Sequence, residues 1–247
     1  MATVPSPAAE AGISTFGRIT GVFFAPTATF EDIVRKPSWL LPTVLILLMS
    51  LAAIIALNSH FSWRDYISQQ IEKSPRAAQL SAEAKERQVE MSAKYSPAFA
   101  YVFGLVLPIC GILVIALVLW GAFSVMAGAG TSYKTALAIV SHAVVPASVI
   151  GTILFVTVLF LKPVGMFDLD NPIATNVAAL LPDDAMKWLV ALGKNIDLLE
   201  LWKLILLSIG FAAISPKKLQ GGKAFSIVFG VFLVYLVLRV GIAFAFS

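Results

Sequence analysis

Two histidines, one cysteine and a few isolated charges are the only residues whose types could do chemistry in this 247-residue chain. His142 lies inside a long apolar run, four residues before Pro146. An ionisable side chain at such a position is a candidate for proton transfer, metal ligation or a structural hydrogen bond. Its ring is expected to bond the carbonyls that Pro146 frees, or a neighbouring helix. His60 is too distant in sequence to suggest a ligand pair, and the single Cys110 excludes an intramolecular disulfide or CxxC metal site. Arg239 is the other strongly ionised residue well inside an apolar run, and is expected to snorkel to the outer headgroups as an anchor or to form a structural ion pair with Asp197 or Glu200. Asp168 with Asp170, and Asp183 with Asp184, are read as solvated acids of a loop. There is no HExxH, no G-x-S-x-G elbow and no GxxxxGK[ST] loop. No catalytic constellation, no metal site and no cofactor is therefore expected, and the chain is not read as an enzyme.

The elements that carry these residues are set by composition. Hydrophobic residues make up 59% and charged residues 13% of the chain, where an ordinary soluble domain carries about 25% charged. The apolar residues gather into five runs, at about 39–57, 97–127, 133–161, 198–214 and 224–246. A spanning helix needs about 20 apolar residues to cross about 30 Å of hydrocarbon. The expected fold is thus all-α, a polytopic bundle with five transmembrane helices. The second and third runs exceed a flat crossing and should tilt, kink at Pro108 and Pro146, or extend past the bilayer. Alternating outer-membrane strands do not match these runs, so a bacterial source would place the chain in the cytoplasmic membrane, a multi-pass protein of the cell membrane.

Orientation follows from the basic residues of short loops. Arg18, Arg35, Lys36, Lys134, Lys217, Lys218 and Lys223 fall on the side of the N-terminus, opposite the acidic loop "MFDLDNPIATNVAALLPDDAMKW". The expected topology is N-in and C-out. The net charge of +4 contains no block of five like charges, so nucleic acid is not an expected partner. Membrane lipids are, together with a protein partner or a second copy.

Residues 1–15 read as a disordered tail and 16–247 as one membrane domain. Thr29 stands three before Asp32, a near capping box, and predicts a short interfacial helix from about 29 to Arg35. Phe23, Phe24, Phe30 and Trp39 are the aromatics of this interfacial segment, with Phe30, Ile33 and Val34 facing lipid or the bundle, and Pro37 is its stop. The loop 60–95 reads as a helical hairpin outside the membrane: Trp63, Ile67 and Ile71 recur every four residues, and Ser74 with Pro75 reads as the start of a second helix. Ala143, Ala147 and Gly151 form a small-residue stripe suited to close helix packing. Trp120 and Trp202 read as interface anchors or packing.

Three stretches, "FFAPTATFEDIVRKPSWLLP", "SYKTALAIVSHAVVPASVIG" and "NIDLLELWKLILLSIGF", together with a basic turn and a last span, resemble the Yip domain family. The resemblance covers 16–246. It implies a five-span N-in, C-out bundle, named for the Ypt-interacting proteins of the eukaryotic Golgi, whose members are implicated in binding Rab-type GTPases and in vesicle formation. The short N-terminal tail and long first loop look like the bacterial branch, so Rab binding is not carried over. The resemblance implies a non-catalytic protein of membrane organisation or partner scaffolding. The alternative from another class is a small-solute or ion transporter, or a transporter subunit. No inverted repeat and no midplane carboxylate supports that alternative.

Overall fold

The computed structural model describes residues 12–74, 77–163, 166–182, 184–219 and 222–245, and these contain helices and no strand. Most of the expected tail, Pro75 and Asp183 lie outside the described residues. The chain begins with two short antiparallel helices, α1 (Thr15–Phe24) and α2 (Pro26–Arg35). Ser14 caps α1 by accepting from the Gly17 N–H at 3.0 Å. Proline opens α2, where its missing N–H has no intrahelical partner to lose. This corrects the capping-box reading. The Thr29 hydroxyl does not cap a helix but donates to the Ala25 carbonyl one turn earlier, at 2.8 Å. The Pro26 start therefore extends α2 by three residues, and α1 ahead of it was not anticipated.

Helix α3 (Leu40–His60) is 21 residues long and carries Pro42 in its first turn. Outside the apolar runs, α4 (Trp63–Glu72) is capped by Ser62 and buries Ile71, as its period suggested. The second helix of this hairpin does not begin at Ser74. A short 3-10 turn, Ala77–Gln79, intervenes, and Ser81 caps α5 (Ala82–Gly121). Helix α5 has 40 residues, about 60 Å at 1.5 Å per residue. It is thus twice the thickness of the hydrocarbon layer, and the second helix of the hairpin and the second apolar run are one continuous helix. Pro97 and Pro108 lie inside it without ending it. A π-helical turn, Ala122–Met126, finishes this helix, and Gly128 and Gly130, both at positive φ, make the turn to α6 (Tyr133–Leu161).

After the loop 166–182 come α7 (Lys187–Asn195), α8 (Leu198–Ala212) and α9 (Lys223–Ala245). Among the described residues four helices are long and apolar enough to cross a membrane: Leu40–His60, Ala82–Met126, Tyr133–Leu161 and Lys223–Ala245. The run expected as a fourth span, 198–214, forms an α8 of 15 residues, about 22 Å. Asp197 caps its start and the chain turns after Ala212, which shortens it below the others.

Helix α6 is the centre. Its residues from Thr135 to Ala143 are all buried, against α3, α5 and α8 and beneath α1 and α2. Phe123 and Phe211 stack at 4.4 Å where α5, α6 and α8 meet. Gly210 is required there: a Cβ would overlap Ile139 of α6 and come within 3.0 Å of Phe30 of α2. At the opposite end, His60 stacks on Phe160 at 4.8 Å, and Phe61 meets Phe167 edge-on. The bundle therefore has two ends. One gathers Lys36, Lys134 and Lys218, the last donating to the Gly128 carbonyl at 3.1 Å. The other gathers α4, the acidic loop and α7.

Candidate functional site at the N-terminal hairpin

Hairpin α1–α2 is held by an ion pair that the sequence reading did not find. Arg18 and Asp32 are 5% and 2% exposed, and Arg18 Nε donates to Asp32 Oδ2 at 2.7 Å. The guanidinium also donates to the Lys36 carbonyl at 2.8 Å and to the Ser38 hydroxyl at 2.9 Å. It thereby ties α1 to α2 and to the entry of α3. Arg35 adds a longer contact to the other Asp32 oxygen at 3.9 Å. The two helices approach closely because Gly21 faces Thr29, whose hydroxyl a side chain at Gly21 would overlap. Arg18 had been read only as a topology charge. The available signal was a single arginine and a single acid, each among apolar residues that share its helix face.

The hairpin lies along α8. Phe30 and Ile33 of α2 are fully buried, and Phe30 sits against Gly210 near the end of α8. At the hairpin tip, Phe23 meets Trp202 edge-on at 6.0 Å. Trp202 lies ten residues before Ala212, or about 15 Å along the helix. The hairpin tip thus packs part-way along α8, about 15 Å from the end that meets Phe30. Phe24 is 88% and Phe16 73% exposed. Of the aromatics of the interfacial segment, Phe24 and Trp39 are exposed and Phe23 is partly buried, whereas Phe30 faces the bundle as a core residue. It is buried because α2 turns that face to α6 and α8. Trp202 packs on the hairpin, and Trp120 donates to the Thr131 carbonyl at 3.0 Å.

His142 is fully buried in α6 beneath the hairpin, with Arg18 the charge that faces it. Its Nδ1 pairs with the Ala138 carbonyl at 2.8 Å, and Nε2 is without a hydrogen-bond partner. Pro146 frees the carbonyl of His142 itself, which the ring does not reach. Helical side chains lean toward the N-terminus, so the ring folds back one turn instead. Of the small-residue stripe, Ala143 is fully buried, Ala147 is partly buried, and Gly151 faces Leu199 of α8 with room for contact at 3.5 Å. The helix that Gly151 meets is in the same chain.

Arg239 is not brought to Asp197 or Glu200. Asp197 accepts from the Leu199 and Glu200 N–H groups at the start of α8 and from the Thr175 hydroxyl. Glu200 pairs with Lys203 at 2.6 Å, one turn along the same helix. Arg239 instead donates to the Tyr235 hydroxyl at 3.2 Å. The acidic loop is not simply solvated. Asp170 accepts from Tyr66 and Gln70 of α4, both at 3.2 Å, and its carbonyl accepts from Lys194 of α7 at 2.8 Å. Burial first, then the Asp170 charge, pushes the Tyr66 hydroxyl above its ordinary pKa of 10.0. Among the described residues no three of His, Cys, Asp and Glu converge as metal ligands.

These features define a multi-pass helical membrane protein whose central helix is flanked by a short helical hairpin. The chain belongs to the Yip1 domain family, whose family model matches residues 20–241. No curated protein and no solved structure matches it.

Proposed function

We propose that the protein organises membranes without catalysing a reaction, with hairpin α1–α2 acting as a wedge in one leaflet. The carrying observation is that hairpin α1–α2 packs two further helices against α6 and α8 at one end of the bundle, with its tip part-way along α8, a reach of about half a hydrocarbon layer of about 30 Å. A body broader in one leaflet favours curvature toward that leaflet. Exposed Phe16 and Phe24 carry the wedge into the acyl chains.

In this reading the chain crosses five times, with α8 as the shortest crossing, and the end bearing Lys36, Lys134 and Lys218 is cytoplasmic in the cell membrane. The opposite face presents hairpin α4–α5 to a protein partner or to a second copy. The paired substitution Phe16→Ser and Phe24→Ser tests the wedge. Both side chains are exposed, so the core is unaffected. Purified protein carrying both changes should deform or tubulate vesicles less than the parent at equal protein-to-lipid ratio. Equal deformation by the two proteins would eliminate the mechanism.

A further inference from the structure

Helix α9 packs on α7 and α8 and barely touches α5. An elongated groove of about 560 Å³ remains between α5, α8 and α9. Its lining is apolar: Val118 of α5 and Leu238 of α9 are exposed at its rim, Val231 of α9 is partly buried, and Leu207 of α8 is buried. From Val228 to Leu238 the wall runs ten residues along α9, about 15 Å. Only one end is polar, lined by Asn195, Glu200, Lys203 and Tyr235, whose hydroxyl accepts from Arg239.

Glu200 and Lys203 pair with each other in the lining, and Arg239, set one residue back from the groove on the lining Tyr235, adds a second cation beside it. Among the described residues, Glu200 engages one of the three N–H donors of Lys203 and Tyr235 one of the five of Arg239. Both residues lie near the α7 end of the bundle, within two turns of the start of α8 or the end of α9. That is headgroup depth for helices that cross a bilayer. A long apolar slot with an unsatisfied positive end matches a ligand with an extended acyl chain and an anionic phosphodiester.

We propose that this groove binds one anionic glycerophospholipid, with an acyl chain along α8 and α9 and its phosphate on Lys203 and Arg239. The proposal does not depend on the wedge function, because the hairpin lies on other faces of α6 and α8.

The test uses the full chain in nanodiscs of phosphatidylcholine containing a small share of phosphatidylglycerol with a photoreactive acyl chain. Crosslinks are mapped by mass spectrometry. Labelling concentrated at 114–119 and 228–238 supports the site. Val231→Trp, which fills the groove, should abolish that labelling. Lys203→Gln with Arg239→Gln should reduce it about tenfold, the loss of a charge-assisted hydrogen bond. Arg239→Gln alone, at an exposed side chain, reads the same contact should the double variant fail to fold. Labelling spread evenly over the lipid-facing helices would overturn the proposal, as would labelling insensitive to these variants. Equal capture of a phosphatidylcholine analogue would overturn the charge-selective headgroup contact. Crosslinks from the groove to a second copy of the chain would replace the lipid with a dimer interface.

Discussion

At the scale of single residues the decisive interaction is Arg18 with Asp32. Both are buried, and the guanidinium has further acceptors at Lys36 and Ser38. A buried pair adds little over an apolar pair of similar volume, but removing one partner strands the other charge and costs about 3–5 kcal/mol. Asp32→Ala should therefore lower the thermal midpoint of the detergent-solubilised protein markedly. Combining Arg18→Met with Asp32→Leu should restore most of the loss. Were the double variant as unstable as Asp32→Ala, the pair would be fixing the α2–α3 corner through the Lys36 and Ser38 bonds and not through its charges. Scanning calorimetry on the three proteins separates these outcomes.

At the scale of elements, hairpin α4–α5 is tied to the loop 166–182 through Tyr66 and Asp170, residues 104 positions apart. Because the folded state raises the Tyr66 pKa above 10.0, the folded state holds that proton more tightly than the unfolded chain does. The latch is then fully present below pH 10 and is lost as pH rises through the elevated value. Spin labels on α4 and on the loop should report a distance that is constant to about pH 10 and broadens above it. Tyr66→Phe should remove that pH dependence, and a broadening that persists in Tyr66→Phe would assign it to another group. The elements themselves were unevenly legible. Long apolar runs declared α3, α6 and α9, since length and composition suffice for them. The hairpin α1–α2 was half legible, because α1 has only 10 residues and its helix is held by α6, α8 and the distant Asp32. Continuity of α5 through residue 97 was hidden for a different reason. A helix crossing from water into lipid changes composition without changing backbone, so the polar-to-apolar boundary looked like a structural one. Whether Phe30 faces lipid or the bundle, and what Arg239 pairs with, were not legible because exposure and pairing depend on neighbouring helices, which periodicity along one segment does not reveal.

At the scale of the whole molecule the open quantity is the number of crossings, and α8 decides it. The chain enters α8 from α7, beside Lys194 and the acidic loop, and leaves it toward Lys217 and Lys218, near the turn after α5. Those ends lie at opposite poles of a bundle whose long helices alternate in direction, which argues that 15 residues suffice to connect the two faces. A crossing of about 22 Å is shorter than a hydrocarbon layer of about 30 Å, and local thinning or flanking Lys and Trp side chains accommodate such a mismatch. Single cysteines at Lys194 and Lys217, in a Cys110→Ser background, make this measurable with a membrane-impermeant maleimide on sealed cells. Position 194 should label from outside, and position 217 only after permeabilisation. The same pattern reversed would keep five crossings and invert the orientation, placing hairpin α1–α2 in the outer leaflet. Labelling of both positions from one side would make α8 re-entrant, reduce the crossings to four and bring both termini to the same face.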